Sequence, residues 1–363
     1  MRSSLFLILL VLLAGITYTA WRIWHILPVS PGWKWLSVIL YLLCFASLFV
    51  HYGLEERLPL GIAAATYETG TSWMIFFLYA LLLFAALNLA RILHLVPLAF
   101  LKQSVAGTCT VLGGILVLLT YGGVHYHHKY REEITVETEK VLERPVTIVL
   151  ASDLHVGYHN RRAELARWVD LINAENPDLV LFAGDILDGS VRPARAWDYA
   201  GEFRRLKAQV YACPGNHEYI SGLDAAMSFL SDAGIQLLRD SSVTVNGIRI
   251  VGRDDRSNPD RLPLSRLAPE SPIPTLLLDH QPYRLEEAET CGIDFQFSGH
   301  THHGQVWPGN WVTDALFEKA FGAYRKGKTR YYISSGLGIW GGKFRIGTRS
   351  EYIVLTLSHP SRQ

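Results

Sequence analysis

Cysteine is scarce in this chain: there are four in 363 residues, and no two of them form a CxxC. That excludes a disulfide framework, and Cys44, Cys109, Cys213 and Cys291 read as buried free thiols. Runs of like charge, internal repeats and low-complexity stretches are also missing, so no acidic or basic tail is present. Charge of either sign is nearly absent from the first third. Residues 1–124 hold six basic side chains (Arg2, Arg22, Lys34, Arg57, Arg91, Lys102) and three acids (Glu55, Glu56, Glu68). That leaves 28 of 34 basic and 30 of 33 acidic side chains for the remainder. A remainder so close to neutral lacks the basic footprint of a nucleic-acid binder, and no nucleic-acid partner is expected.

What fills the first third is apolar. Crossing the hydrocarbon core takes about 20 mainly apolar residues, and four stretches qualify: residues 5–26, 35–52, 73–92 and 105–124. A cleaved signal peptide would explain the first alone, not the three that follow. Helices are expected, because lipid satisfies no backbone group. Trp21, Trp24, Trp33, Trp35 and Trp73 fall near span ends, as an interfacial aromatic belt does. The scarcity of ionisable groups inside the spans favours an anchor over a transporter. Residues 53–71 read as a long loop. Four spans put the N-terminus and the downstream part on one side of the bilayer. Basic residues divide evenly between the two sides, whereas all three acids fall in the loop on the downstream side. The expectation is a multi-pass inner-membrane protein, in contact with the lipid bilayer, with its polar part outside the cytoplasm. The module covers residues 1–128, with His125, His127 and His128 as a solvated juxtamembrane stretch. Residues 129–144 read as a linker entering an exposed strand.

From residue 145 to 363 the pattern changes to short apolar runs separated by turn residues. Strands are predicted at residues 146–150, 179–182, 210–212, 275–278 and 295–297. A helix capped by Asn160 is predicted from Leu165, Val169 and Ile172. Further helices are predicted over 194–207 and 225–230, and a hairpin over 243–251 around Asn246-Gly247. Helices and strands alternate and then give way to strands, which indicates an α/β domain with at least one mixed sheet.

Each predicted strand ends in a polar motif, in this order: Asp153-x-His155, Gly184-Asp185, Gly215-Asn216-His217-Glu218, His280 and Gly299-His300-Thr301-His302. Side chains leaving the carboxyl ends of neighbouring strands converge without distorting the sheet. Asp153 and His155 project to one side if the chain stays extended there. An aspartate has two oxygens, so Asp185 is able to bridge two ions. Asn216 offers a neutral oxygen, and His280, His300 and His302 offer nitrogen. Such mixed ligands suit Mn, Fe, Zn, Co or Ni better than Ca or Mg. Any one motif is weak; five in order, each after a strand, are not.

Residues 146–357 resemble the calcineurin-like metallophosphoesterases, whose pattern is D-x-H, G-D, G-N-H-[DE], H, G-H-x-H. The stretch Ser334–Gly338 followed by Phe344-Arg345-Ile346-Gly347 is similar to the membrane-associated bacterial branch typified by YkuE and YaeI. The resemblance implies a two-sheet αββα sandwich behind a four-helix transmembrane module. It implies that Asp153, His155 and His302 bind one divalent metal ion, that Asn216, His280 and His300 bind another, and that Asp185 bridges them. His217 would stay off the metals beside the leaving group. The implied reaction is hydrolysis of a phosphate ester or pyrophosphate by direct attack of a metal-bridging hydroxide, on a phosphorylated small molecule or a lipid-linked substrate. Glu218 is expected either to orient His217 or to form a structural salt bridge. Arg345 is a candidate substrate contact, since guanidinium binds phosphate bidentately; His303 is unassigned. A membrane sensor or scaffold with a non-catalytic domain of the same shape is the alternative.

Overall fold

The computed structural model describes residues 2–360. It divides into two compact units, residues 1–124 with 341–344, and residues 125–340 with 345–363.

The first unit is built on four long helices: α1 (Arg2–Ile26), α2 (Pro31–Leu54), α3 (Leu60–Ile92) and α4 (Val105–His127). Each contains an apolar window long enough to cross a membrane, beginning at Leu9 in α1. The predicted loop at 53–71 is shorter than expected, because α3 starts at Leu60. At 1.5 Å per residue its 33 residues run about 50 Å, longer than a bilayer core of about 30 Å. Its first turns are polar yet helical. Thr66 and Thr71 return their hydroxyls to the carbonyls of Ile62 and Tyr67, one turn back. A hydropathy window ends where such residues begin. Glu68 therefore belongs to a helix, and only Glu55 and Glu56 remain in the loop.

The second unit stacks two six-stranded sheets. Its strands are β1 (Lys129–Glu137), β2 (Val146–Ala151), β3 (Leu179–Ala183), β4 (Gln209–Cys213), β5 (Ile235–Leu237), β6 (Ser241–Val245), β7 (Ile248–Gly252), β8 (Thr275–Leu278), β9 (Phe295–Ser298), β10 (Gly322–Lys326), β11 (Thr329–Ile333) and β12 (Ser350–Ser358). One sheet has the order β1-β12-β2-β3-β4-β5 and the other β10-β11-β9-β8-β7-β6. The inner faces meet through Ile148, Leu181, Ile250, Leu278, Phe297 and Leu355. The helices α5 (Arg162–Ala174), α6 (Arg192–Ala196), α7 (Tyr199–Phe203), α8 (Asn216–Ile220) and α9 (Leu223–Asp232) follow in the first half. Trp168, Phe203 and Phe229 among them join Val149 and Phe182 in a core on the outer face of the first sheet. The second sheet is covered by α10 (Leu264–Leu267) and α11 (Glu286–Thr290), through Leu264, Leu267 and Ala288. The layers are α, β, β, α. The central strands β2–β3–β4 and β7–β8–β9 run parallel, so each set delivers its loops at one end.

Three local expectations need correction. Residues 129–144, read as a linker entering an exposed strand, begin with that strand instead: β1 pairs in parallel with β12 along nine residues, a partner some 220 positions away. The helix expected over 194–207 is two short ones, broken where Asp198 turns to φ +51° and caps the Gly201 N–H at 3.1 Å. Asn160 does not cap α5, which starts after Arg161. Its buried amide donates to the carbonyls of Leu154 (3.0 Å), His155 (3.2 Å) and Ile339 (3.0 Å), and its oxygen accepts from the Tyr126 hydroxyl at 2.6 Å. The hairpin is as expected, with Asn246 and Gly247 both at positive φ.

Asn160→Ala strands several buried polar groups, each worth roughly 1–3 kcal/mol. The full chain in detergent is expected to melt several degrees lower, and an unchanged melting temperature would remove Asn160 from this role.

Candidate metal centre

The five motifs occupy the loops that follow β2, β3, β4, β8 and β9. Here the chain is not extended. Asp153, His155, Asp185, His300 and His302 all have positive φ, between +44° and +71°. The expectation that Asp153 and His155 align through an extended strand is therefore wrong; a left-handed residue at each position turns both inward. Such conformations cost of order 1–3 kcal/mol each and persist where surrounding bonds impose them. The Asp153 N–H donates to Gly184 O (3.1 Å), the His155 N–H to Asp185 O (3.0 Å) and the Gly299 N–H to His280 O (2.9 Å). Gly184, at φ +76°, could carry no side chain: a Cβ would stand 2.7 Å from both the Gly215 nitrogen and His280 Nδ1.

The seven side chains singled out in the sequence meet in this space. His155 Nε2 lies 3.1 Å from His302 Nε2, and His302 Nε2 lies 3.4 Å from Asp153 Oδ1. Asp185 Oδ2 is 3.6 Å from His155 Nε2 and 3.1 Å from His280 Nε2. His300 Nδ1 is 2.9 Å from Asn216 Oδ1. Asp185 thus stands between two groups of candidate ligands, Asp153–His155–His302 on one side and His280–His300 on the other; donor atoms lie within 4.8 Å of one another in the first group, and in the second together with Asp185.

Whether these residues fit a cation is testable on their own geometry. Two nitrogens bound at about 2.1 Å to one ion, at angles between square and tetrahedral, stand about 3.0–3.4 Å apart, which is the separation seen here. His280 Nδ1 donates to the Ala183 carbonyl at 2.7 Å, which aims its buried Nε2 at Asp185 Oδ2, 3.1 Å away. That second bond fixes the tautomer a metal ligand needs. Burial and neighbouring positive charge push His300 down to about 4 and hold His302 well below the usual histidine range, so both are neutral nitrogen donors. Burial raises Asp153; Asp185 is also desolvated, but the imidazoles of His280 and His217 outweigh this and hold it ionised. The donor set fits divalent transition metals.

Two carboxylates surround this set in roles that sequence reasoning missed. Asp188 Oδ1 lies 3.4 Å from Nδ1 of both His155 and His217, and Oδ2 lies 3.7 Å from His159 Nδ1. The available signal was a second acidic position in Gly184-Asp185-x-x-Asp188. Glu218 neither orients His217 nor forms a salt bridge. Fully buried, it accepts the N–H groups of Asp185 (3.0 Å), Ile186 (2.9 Å), Leu187 (3.0 Å) and Gly215 (2.7 Å), so it binds the β3 and β4 loops together. His217 is less deeply buried than its neighbours, its side chain 14% exposed, and its N–H donates to Asp185 Oδ1 at 2.9 Å. Burial disfavours its imidazolium, but Asp185 and Asp188 prevail and raise it to about 9. A His217 ring nitrogen also falls within 4.8 Å of donor atoms of His155 and Asp185.

Arg345 is not placed to contact substrate. It is fully buried, and its guanidinium donates to the carbonyls of His302 (2.7 Å), Gly338 (3.1 Å) and Ser335, and to Ser350 Oγ (3.2 Å). It clamps the main chain that carries His302. The motif suggested a phosphate contact because sequence shows a guanidinium but not the carbonyls that consume it. His303 stacks on Phe321 and lies 3.5 Å from Asp314, outside the ligand groups.

Known proteins bear on this arrangement. Residues 146–304 match the family model described as calcineurin-like phosphoesterase. An "uncharacterized metallophosphoesterase" of Helicobacter pylori strain J99 is 31% identical over 224 residues, which is 60% of this chain and 60% of that protein. The chain thus spans about 60% of that relative's length. A "transmembrane protein with metallophosphoesterase domain" of Danio rerio is 30% identical over 276 residues, 68% of this chain and 62% of that one. YkuE of Bacillus subtilis, an "uncharacterized metallophosphoesterase", is 29% identical over 265 residues, 66% of this chain and 91% of that one.

Two outcomes follow from the geometry. Glu218→Ala leaves four buried N–H groups without an acceptor, and is expected to lower both the melting temperature and metal uptake. Metal-stripped full chain should gain several degrees in melting temperature on adding Mn²⁺. The absence of any shift would separate these side chains from cation binding.

Proposed function

We propose, from the premise that this chain carries a calcineurin-like metallophosphoesterase domain, that it is a membrane-anchored hydrolase of phosphate ester or pyrophosphate bonds working with two divalent metal ions. The observation that carries this reading is the convergence of seven separated side chains on one buried cluster of carboxylates and imidazoles with Asp185 at its middle. Asp153, His155 and His302 would hold one ion, Asn216, His280 and His300 the other, and Asp185 both. Ions so bound supply Lewis acidity toward phosphoryl oxygens and a water of lowered pKa. The protein's own part is then positional and protic. His217, at the rim of the cluster, donates a proton to the leaving oxygen, and Asp188 holds its ring in place through Nδ1.

A substrate with a lipid chain is favoured by the surface next to the site. The helix α12 (Gly309–Leu316) follows the Gly299–His302 motif and has no buried residue. Trp311, Val312 and Leu316 on it are 62%, 58% and 69% exposed. An amphipathic helix presenting Trp and Leu is the kind that lies in a headgroup interface, and this chain also has four apolar helices of membrane-crossing length. The extracytoplasmic placement of the domain rests now on Glu55 and Glu56; labelling of a surface cysteine by a membrane-impermeant reagent on intact cells tests it.

In hydrolysis of bis(p-nitrophenyl) phosphate by the detergent-solubilised full chain, Asp185→Asn is expected to lose metal and rate together. His217→Ala should keep metal and lose about 10²–10⁴-fold in kcat, the range of general acid catalysis. Full activity in either contradicts the assignment, and no turnover by the metal-loaded chain would indicate a scaffold. The double change Trp311→Ser, Leu316→Ser should raise KM for a phospholipid in vesicles and leave the soluble diester unaffected; equal effects on both would remove the lipid reading.

A further inference from the structure

The loops after β7 and β8 form a pocket that the candidate metal centre does not use. Its volume is about 280 Å³, and its charged lining is Arg253, Arg256, Arg261, Arg284 and a single acid, Glu287. Part of that charge is already paired. Glu287 takes Arg253 Nη1 at 2.7 Å and Arg284 Nε at 2.9 Å. The buried carboxylate of Asp279 takes Arg253 Nη1 at 3.3 Å and Arg261 Nη2 at 2.5 Å. Two carboxylates thus serve four guanidinium groups, and positive charge is left over. Arg253 is only 9% exposed, yet its Nε and that of Arg261 are buried with no hydrogen-bond partner among the described residues. Arg256 rests over the Tyr283 ring at 4.7 Å, with no carboxylate paired to it among the described residues.

A cleft lined by charge of one sign concentrates the opposite ion. Guanidinium forks match phosphate oxygens, and hydrogen bonds between the two are charge-assisted. Several forks around one space suit an anion with acceptor oxygens in more than one direction, which a phosphate has and a carboxylate lacks. The pocket also adjoins the candidate metal centre. The Arg253 N–H donates to Leu278 O at 3.0 Å, and the Gln281 amide donates to Asp255 Oδ2 at 2.9 Å. The pocket loop is therefore tied to the β8 loop on both sides of His280. Asp279, which Arg253 and Arg261 grip, is the residue before His280. Rings continue the link: Tyr283 packs on Phe317 at 4.8 Å, and Phe317 lies 6.2 Å from the His300 ring.

We propose that this pocket binds a phosphate group of the substrate other than the one hydrolysed, with Arg253, Arg256, Arg261 and Arg284 supplying the charge. That the occupant belongs to the substrate rests on the phosphoesterase reading above; that the pocket takes phosphate does not. The pocket then selects substrates with a second phosphate some distance from the scissile bond.

The first measurement is calorimetric titration of the metal-free full chain in detergent with inorganic pyrophosphate. Without ions the carboxylate-rich centre repels anions, so one saturable site is expected. The double change Arg256→Gln, Arg284→Gln alters two exposed side chains and should weaken binding at least tenfold. Arg325→Gln, on the exposed face of β10, should leave it unchanged. The second measurement follows p-nitrophenol release by the Mn²⁺-loaded chain from p-nitrophenyl alkyl phosphodiesters. Their alkyl chains, of increasing length, end in phosphate or in hydroxyl. At one length the terminal phosphate should lower KM at least tenfold, and the double change should abolish that advantage. No pyrophosphate binding, or binding that the double change leaves intact, would overturn the pocket. Binding there without a KM advantage at any length would overturn its assignment to substrate. No turnover of any ester would sink the phosphoesterase reading and the substrate assignment with it, while the titration still decides the pocket.

Discussion

Four carboxylates, those of Asp153, Asp185, Asp188 and Glu218, are buried around the same strand-end loops, and the arrangement of the domain around them is set by the need to compensate that charge. Each has a different solution. Glu218 takes four backbone N–H donors. Asp188 is flanked by the imidazoles of His155, His159 and His217. Asp153 accepts the His300 N–H at 3.0 Å and faces the His302 ring, which burial keeps neutral, while Asp185 is held ionised by the imidazoles of His280 and His217. Neutral imidazoles relieve little negative charge, and His155 and His302 bring ring nitrogens to 3.1 Å of each other in the same space. Cations bound in that space would complete the balance.

The sheets supply what such a cluster demands mechanically. Parallel central strands in both layers release their loops at one end, and the loops are tied to each other by main-chain bonds before any side chain acts. Left-handed turns at five ligand positions are tolerated because Glu218 on one side and Arg345 on the other fix the backbone. Arg345 and Glu218 make one point about strand-end sites. The residues that shape the loops are as buried and as polar as those that would bind ligand, and from sequence they look alike.

That likeness explains what could be read in advance and what could not. The convergence of these side chains was legible because each follows an apolar run, and order along the chain reports position along a parallel sheet. The two-sheet sandwich followed from resemblance more than from periodicity, since β1 and β12 join through a pairing that no local pattern encodes. Asp188 went unread because a carboxylate three places after a ligand is ordinary in any loop. Arg345 was misread for the opposite reason: a conspicuous side chain invites a ligand, and its true partners are carbonyls. Helix ends failed where side-chain hydrogen bonds, not hydropathy, decide them, as at Thr66 and Thr71 in α3 and at Asp198 before α7.

The central claim is that Asp185 stands between two cations. Crystals of the full chain grown with Mn²⁺ and measured for anomalous scattering test it directly. The account predicts two peaks on opposite sides of the Asp185 carboxylate, one beside Asp153, His155 and His302, the other beside Asn216, His280 and His300. A single peak, or peaks away from Asp185, would contradict it.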